Sequence, residues 1–301
     1  MPSPFCAADQ FEDPDPSTER PALPPAVELD LGERGTTTVR CVEGPANAPT
    51  VLLIHGWAVT AAVNWCQVYR PLAEHANVVS FDLRGHGRGV RDDQPFRLVD
   101  AADDAVAVLD ALGIDRAIVV GYSMGGTIAQ LVAHRAPQRV SGLVLASTWT
   151  HGLGTKLVQQ LFKASTIASK ALALVPEKAQ QGVVKTVWSA VAATKPSTRP
   201  AWFRDEVLQA SMPYLVDASK EFATFDSRPW LSELTMPTGV LVTTADKLVL
   251  PSRQLDLTNH LPNAAVRTID TDHDGCTLEP DVFVGPFVEL VRTVANGTRS
   301  T

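Results

Sequence analysis

The chain has 301 residues, 45% of them hydrophobic, which is enough for one large core with an insertion. Its formal net charge of −7 argues against a general nucleic-acid binder, since such proteins usually carry a basic surface. The four cysteines form no C-x-x-C pair and match no zinc spacing, so we expect free thiols, no metal and a reducing compartment.

The first 26 residues are rich in proline and in acidic side chains. They contain seven prolines and five acids against one base, Arg20, and they lack the basic start and apolar stretch of a signal peptide. No apolar run in the chain reaches the length of a membrane span. We therefore expect residues 1–26 to be a loosely draped acidic tail, and the protein to be cytoplasmic.

Two kinds of strand pattern follow the tail. Residues 26–31 alternate between apolar and polar side chains, as a half-buried edge strand does, and residues 36–42 form a β-branched run. Short, continuous apolar runs then recur, which is typical of strands buried on both faces. These runs are 51–54, 78–81, 118–120, 143–145 and 240–242. Helical spacing between several of them, over 99–112 and 124–135, predicts a parallel sheet covered on both sides.

The alternation of strand and helix breaks between residues 148 and 228. This stretch has helical patterns and no convincing strand, and the strand pattern resumes at Thr238. It predicts a helical cap inserted between two parts of the core, 27–147 and 229–301. Three lysines at seven-residue spacing share one face of a helix there, namely Lys156, Lys163 and Lys170. That face is either simply solvated or attracts a lipid surface or an anionic substrate such as an acyl-coenzyme A.

A glycine-flanked serine, Gly121-Tyr122-Ser123-Met124-Gly125, lies between the apolar run 117–120 and the helical pattern 124–135. This G-x-S-x-G pattern predicts a sharp strand-to-helix turn, where small neighbours let a strained backbone pass. The helix N-terminus would direct N–H groups at the serine oxygen, where negative charge develops during attack on an ester carbonyl. The pattern alone also fits an ordinary turn with a buried serine, so its interpretation depends on the rest of the chain.

Four further segments accompany the serine in a characteristic order. They are His55-Gly56-Trp57, the D-L-R-G-H-G run at 82–87, Asp246 after the strand at 240–244, and His273 after the strand at 266–269. Together they resemble the α/β-hydrolase fold family, in its serine esterase and lipase-like branch with a helical cap, over residues 27–296. The resemblance implies an eight-stranded, mostly parallel sheet with helices on both faces, and no metal or organic cofactor.

The same resemblance implies roles for the site residues. Ser123 would attack a carbonyl, His273 would take up and return the proton, and Asp246 would orient the imidazole. The backbone N–H groups of Trp57 and Met124 would form the oxyanion hole. A serine nucleophile also argues against epoxide opening and halide displacement, for which relatives on this scaffold use a carboxylate.

Some of these assignments have alternatives. His55 belongs to the H-G segment, and we interpret it as a loop-ordering residue rather than a base. Asp246 could be a turn residue, although the other position for the acid, within 146–149, holds no carboxylate. Asp272 precedes His273 where the family usually has glycine, and we expect its carboxylate to face solvent.

The aromatic side chains near the serine and in the cap are the candidates for substrate binding. We expect Trp57, Tyr122, Trp149 and Trp188 to contact the substrate, and an aromatic-rich cap favours an apolar acyl or alcohol group. The predicted function is hydrolysis of a small-molecule carboxylic ester through an acyl-enzyme on Ser123. A thioesterase or a hydrolase of carbon–carbon bonds could use the same residues, and a non-catalytic ligand-binding protein is the alternative from a different class.

Overall fold

A computed structural model of the chain describes residues 10–152, 200–261 and 263–298. Its centre is one sheet with the strand order β1-β2-β4-β3-β5-β6-β7-β8. The strands are β1 Val27–Asp30, β2 Thr36–Val42, β3 Thr50–Ile54, β4 Asn77–Phe81, β5 Ala117–Tyr122, β6 Val140–Ala146, β7 Thr238–Thr243 and β8 Ala265–Ile269. Strand β2 is antiparallel to β1 and β4, and all other neighbours are parallel. The predicted mostly parallel, eight-stranded α/β sheet is confirmed.

Helices cover both faces of this sheet. In the described residues they are α1 Ala61–Trp65, α2 Tyr69–Ala73, α3 Leu98–Ala111, α4 Met124–Arg135, α5 Ala201–Val207, α6 Met212–Thr224, α7 Pro251–His260, α8 Gly275–Leu278 and α9 Pro280–Thr298. Leu52 and Ile54 of β3 pack in one apolar layer with α3 and α4, whereas Val51 and Leu53 pack in the opposite layer with α1, α2 and α9. All four side chains are fully buried, which explains the continuous apolar run at this strand.

Residues 200–228, at the end of the predicted cap, pack over the carboxyl ends of β3 and β4. The N–H of Ser211, just before α6, donates to the carbonyl of Gly85 at 2.8 Å. The indole N–H of Trp57, which follows β3, donates to the carbonyl of Leu215 in α6 at 2.9 Å. The described part of the insertion is therefore helical and lies beside the edge of the sheet where the serine is found.

The rest of the predicted cap lies outside the described residues. Residues 153–199 include Trp188 and the basic helix face of Lys156, Lys163 and Lys170. The boundaries of the cap, its contact with a lipid surface and the role of Trp188 therefore stay predictions. Within the ranges that are described, no helix combines the length and the apolar character that crossing a membrane requires.

The two ends of the insertion meet close to the sheet. His151 and Asp226 form an antiparallel bridge, and the N–H of Gly152 donates to the carbonyl of Phe225 at 3.0 Å. The chain thus leaves the core after β6 and returns to it at nearly the same place.

Residues 10–26 are ordered against the core, unlike the loosely draped tail that their composition suggested. The guanidinium of Arg70 lies 3.9 Å from the ring centroid of Phe11, and Leu23 is buried in the layer that contains α1 and α2. The carbonyl of Thr18 accepts a hydrogen bond from the N–H of Trp202 at 3.3 Å. These two apolar contacts and one backbone hydrogen bond hold the segment against the core, in spite of its high content of proline and acidic residues.

Candidate active site

Ser123 stands between β5 and α4, at the sharp turn that the G-x-S-x-G pattern predicts. Its backbone adopts φ +54° and ψ −122°, a region that costs a non-glycine residue on the order of 1–3 kcal/mol. A Cβ at Gly121 would lie 2.2 Å from the carbonyl oxygen of Gly125, and a Cβ at Gly125 would lie 2.2 Å from that of Ile54. Only glycine fits at these two positions, and the close packing that results holds the strained serine in place.

One hydrogen-bonded chain joins the three residues predicted to be catalytic. The hydroxyl oxygen of Ser123 lies 2.9 Å from Nε2 of His273, and Nδ1 of His273 lies 2.7 Å from Oδ2 of Asp246. Because a carboxylate only accepts, Nδ1 carries the proton, and Nε2 then accepts from the hydroxyl. The Asp246 side chain is fully buried, whereas that of His273 is 19% exposed. A basic nitrogen is thus held against a serine hydroxyl at the edge of the sheet.

Asp246 is surrounded by donors that fix both of its carboxylate oxygens. Oδ1 accepts from the backbone N–H groups of Leu248 at 2.9 Å and Val249 at 2.8 Å. Oδ2 accepts from the hydroxyl of Thr243 at 2.9 Å and from the amide of Gln254 at 3.1 Å, in addition to His273. Sequence reasoning missed Thr243 and Gln254, because a threonine in a strand and a glutamine in a helix carry no distinctive pattern.

Asp272 joins the loop of Asp246 to the loop of His273, and the expectation that it would face solvent was wrong. Its Oδ1 accepts from the backbone N–H of His273 at 2.8 Å and from that of Lys247 at 3.3 Å. Lys247, one residue after Asp246, also places its Nζ 3.5 Å from Asp272 Oδ2. The carboxylate that replaces the usual glycine therefore binds backbone donors on both loops.

His55 orders the loop next to the serine, as the sequence analysis proposed. Its Nε2 accepts from the N–H of Leu83 at 2.9 Å, so Nδ1 carries the proton and donates to the carbonyl of Gly56 at 2.7 Å. Burial lowers the pKa of His55 to about 4, which keeps the ring neutral near pH 7. Since the peptide from Gly56 to Trp57 is trans, the N–H of Trp57 points away from the carbonyl that His55 holds.

The backbone groups predicted for the oxyanion hole belong to the loop after β3 and to the start of α4. A Cβ built on Gly56 would lie only 3.4 Å from Cβ of Ser123, so the loop that leads into Trp57 approaches the serine closely. Met124 is the first residue of α4, where N–H groups have no partner within the helix. The Trp57 and Met124 N–H groups therefore belong to segments that adjoin Ser123, and their binding of an oxyanion stays a prediction.

The aromatic residues predicted to bind substrate occupy different environments. Trp57 is partly buried, and its ring meets Phe222 of α6 edge to face at a centroid distance of 6.0 Å. Trp149 packs against the same Phe222 at 5.9 Å and is 1% exposed. Tyr122 is buried in the apolar layer on the α9 side of the sheet, and its hydroxyl donates to the carbonyl of His273 at 2.6 Å. The geometry gives Tyr122 a role in placing His273, and it leaves Trp57 as the accessible aromatic side chain of these three.

No metal centre is found among the residues that the structure describes. No three His, Cys, Asp or Glu side chains there lie close enough together to hold an ion. The described cysteines Cys41, Cys66 and Cys276 are free thiols.

The fold agrees with the comparisons to known proteins. Residues 49–280 match the family model for the alpha/beta hydrolase fold, and the chain belongs to that family. A candidate carbamate hydrolase, RutD of Azorhizobium caulinodans, is 26% identical over 250 residues, which are 78% of this chain and 89% of RutD.

Two solved structures illustrate how far the similarity of fold extends. A thermophilic esterase from Thermogutta terrifontis superposes with a TM-score of 0.72 at 20% identity, covering 90% of this chain and 99% of the esterase. The enol-lactonase from Burkholderia xenovorans LB400 superposes with a TM-score of 0.70 at 20% identity, covering 89% and 100% respectively. At such identities the similarity establishes the fold alone.

Proposed function

We propose that this protein is a serine hydrolase that cleaves carboxylic esters with an apolar acyl or alcohol group. The observation that carries the proposal is the chain from Ser123 through His273 to Asp246, with the serine on a strained turn at the start of a helix. A hydroxyl, a base and an orienting acid in this sequence of hydrogen bonds are what nucleophilic acyl transfer requires.

Each step of the reaction has a group to perform it. Ser123 Oγ attacks the ester carbonyl while its proton passes to Nε2 of His273, and the imidazolium is stabilised by Asp246. The N–H groups of Trp57 and Met124 bind the oxyanion, and losing one such donor typically costs about 3 kcal/mol of transition-state stabilisation. His273 then protonates the leaving alcohol. Water, activated by the same base, releases the acid from the acyl-enzyme and returns the proton to Ser123.

The surroundings of the serine support an apolar substrate group. Trp57, the accessible aromatic side chain beside the carboxyl end of β3, packs edge to face against the buried Phe222, which in turn packs against the buried Trp149. Apolar and aromatic walls with a few directed polar groups are characteristic of small-molecule sites. The esterase and enol-lactonase with this fold are named for cleaving an acyl–oxygen bond, and RutD is named for carbamates, so related acyl substrates belong in the test.

The test is hydrolysis of p-nitrophenyl esters from acetate to palmitate by the wild type and by Ser123→Ala. We expect the variant to lose activity by about 10⁴-fold or more, because the nucleophile is removed. Ser80→Ala is a matched control, since Ser80 is a fully buried serine that pairs with the hydroxyl of Tyr69 at 2.7 Å. The control should retain the activity of the wild type, and the optimum chain length measures the size of the acyl pocket.

Two outcomes would contradict the proposal. Undiminished hydrolysis by Ser123→Ala would exclude an acyl-enzyme on this serine. Folded wild-type protein that hydrolyses no ester in the series, nor a lactone, a carbamate or a thioester, would instead favour the cleavage of carbon–carbon bonds or ligand binding without catalysis.

A further inference from the structure

Asn64 makes two directed hydrogen bonds from a buried position on α1. Its Oδ1 accepts from the backbone N–H of Gly56 at 2.8 Å, and its Nδ2 donates to Sγ of Cys276 at 3.2 Å. The residue is 2% exposed, so each of these bonds replaces hydration that the amide has lost. A buried amide of this kind is costly unless both of its ends are paired.

The two partners of Asn64 belong to different parts of the proposed site. Gly56 lies against Ser123 and leads into Trp57, whose N–H is proposed to bind the oxyanion. Cys276 lies in α8, three residues after His273. Burial raises the pKa of the Cys276 thiol to about 11, so the sulfur is neutral and available as a weak acceptor.

Gly56 is held from both sides. His55 Nδ1–H fixes its carbonyl at 2.7 Å, while Asn64 fixes its N–H at 2.8 Å. A peptide restrained at the residue before Trp57 cannot turn without breaking one of these bonds. Asn64 therefore contributes to the direction in which the N–H of Trp57 points.

We propose that Asn64 is a positioning residue, which aligns the oxyanion loop at Gly56 and Trp57 with the helix that follows the base His273. This proposal rests on the proposed function, because it assigns a partner to the oxyanion-binding backbone of the same site. Asn64 touches neither the substrate nor the reacting atoms, so it acts through Gly56. Its removal should weaken the stabilisation of the transition state and leave the binding of the ground state unchanged.

The experiment compares Asn64→Leu, which has similar volume and no polar atoms, with Asn64→Asp, which keeps an oxygen acceptor for the N–H of Gly56. We expect Asn64→Leu to lower kcat by about tenfold, less than the about 10²–10³ that the loss of an oxyanion donor itself costs. KM should change less than about twofold, because uniform binding is unaffected. The Ki of a trifluoromethyl ketone, which forms a tetrahedral adduct on the serine, should rise in parallel with the loss of kcat.

Asn77→Leu is the matched control. Asn77 makes the same pair of bonds at the start of β4, where its Oδ1 accepts from the N–H of Gly44 at 2.9 Å and its Nδ2 donates to the carbonyl of Ala48 at 3.2 Å. The variant Asn77→Leu should alter Tm but leave kcat and Ki at wild-type values. Asn64→Asp should recover most of kcat.

The outcomes separate this proposal from the proposed function. Folded Asn64→Leu with the kcat and Ki of the wild type would overturn the positioning role. A low kcat in Asn64→Asp would overturn it as well, and so would an equal loss of kcat in the control Asn77→Leu. If Asn64→Leu does not fold, Asn64→Ala is judged by the same criteria. A wild type without Ser123-dependent hydrolysis would overturn the proposed function and this proposal with it.

Discussion

Ser123 and Asp246, the two ends of the hydrogen-bonded chain, are held in place by different kinds of contact. Ser123 sits on a strained turn whose shape is imposed by backbone packing at Gly121 and Gly125. Asp246 lies on a loop after β7, and its two oxygens accept hydrogen bonds from backbone N–H groups and from the side chains of Thr243 and Gln254. The proposed nucleophile, Ser123, is thus fixed by steric contacts, and the proposed acid, Asp246, is fixed by several hydrogen bonds.

This difference determines how each end should respond to substitution. Where backbone packing is tight, a single added methyl group destabilises the fold strongly, because the backbone around it cannot shift to make room. When a carboxylate accepts several hydrogen bonds, the loss of one donor has a smaller effect, because the remaining donors still hold it in place. Substitutions at Asp246 and Gln254 and at Gly125 and His55 test this contrast between the two ends.

Asp246→Asn should have the largest effect, a fall in kcat of about 10⁴-fold, because the amide no longer holds the imidazole in the required tautomer. Steady-state kinetics on the best p-nitrophenyl ester measure it. Asp82→Asn is the matched control, since Asp82 is another buried carboxylate that accepts two backbone N–H groups, from Ala61 and Arg88. Activity within tenfold of the wild type in Asp246→Asn would show that another group orients His273.

Gly125→Ala should destabilise the fold by about 3 kcal/mol, the upper end for overpacking, because the new methyl group would lie 2.2 Å from the carbonyl oxygen of Ile54. Urea denaturation measures the change. Gly285→Ala in α9 is the control, since a Cβ there has no neighbour within 4 Å and alanine in a helix gains about 0.5–1 kcal/mol. Equal stability of the two variants would refute the steric account of the elbow.

The stability of the loop beside Ser123 should also depend on pH, through His55. Burial lowers the pKa of this ring from 6.5 to about 4, so between these values the unfolded chain binds a proton that the folded chain does not. The free energy of unfolding should therefore fall as pH decreases from 6.5 to 4, with His55 contributing a slope of about 1.4 kcal/mol per pH unit. Urea titrations at pH 6.5, 5.5 and 4.5 measure the slope. His55→Gln should lower the slope, while His86, whose ring lies 5.4 Å from that of His55 and whose pKa burial lowers to about 3, continues to contribute. A slope unchanged by the substitution would contradict the role assigned to His55.

Gln254→Leu should have a much smaller effect on catalysis than Asp246→Asn. It removes one donor to Asp246 and leaves the buried N–H of Thr243 without its acceptor, Gln254 Oε1, at a cost of about 1–3 kcal/mol in stability. The other donors keep the carboxylate in place, so kcat should fall by less than about tenfold, or about 1.4 kcal/mol. A loss as large as that of Asp246→Asn would show that the acid is not held redundantly.

Much of the sheet could be predicted from the sequence because its strands are buried on both faces. The continuous apolar runs at 51–54 and 78–81 lie within β3 and β4, and the alternating run at 26–31 contains the edge strand β1. The elbow could be predicted as well, since its G-x-S-x-G pattern occupies five consecutive residues, although Gly125 is required by contact with Ile54 on β3. These features are marked by patterns of neighbouring residues, which a sequence displays directly.

Other features depend on contacts between distant segments. Pro286 and Gly285 suggest a break, yet α9 continues through both of them because Phe283 and Phe287 are buried against the sheet. Ser123 and His273 are 150 residues apart, and it is the parallel arrangement of β5 and β8 in one sheet that brings their loops together. Gln254 and Asn64 reach the site from helices whose sequences carry no catalytic pattern.

The meeting of the insertion's two ends has a consequence for how this chain can vary. Gly152 and Phe225 are joined by a hydrogen bond, so the chain leaves the sheet and returns to it at one point. Lengthening a flexible loop destabilises a fold only slightly, since each doubling of its length adds about 0.6 kcal/mol to the free-energy cost of closing the loop. The length of the chain between these two residues can therefore change without moving the strands β6 and β7 on either side of it.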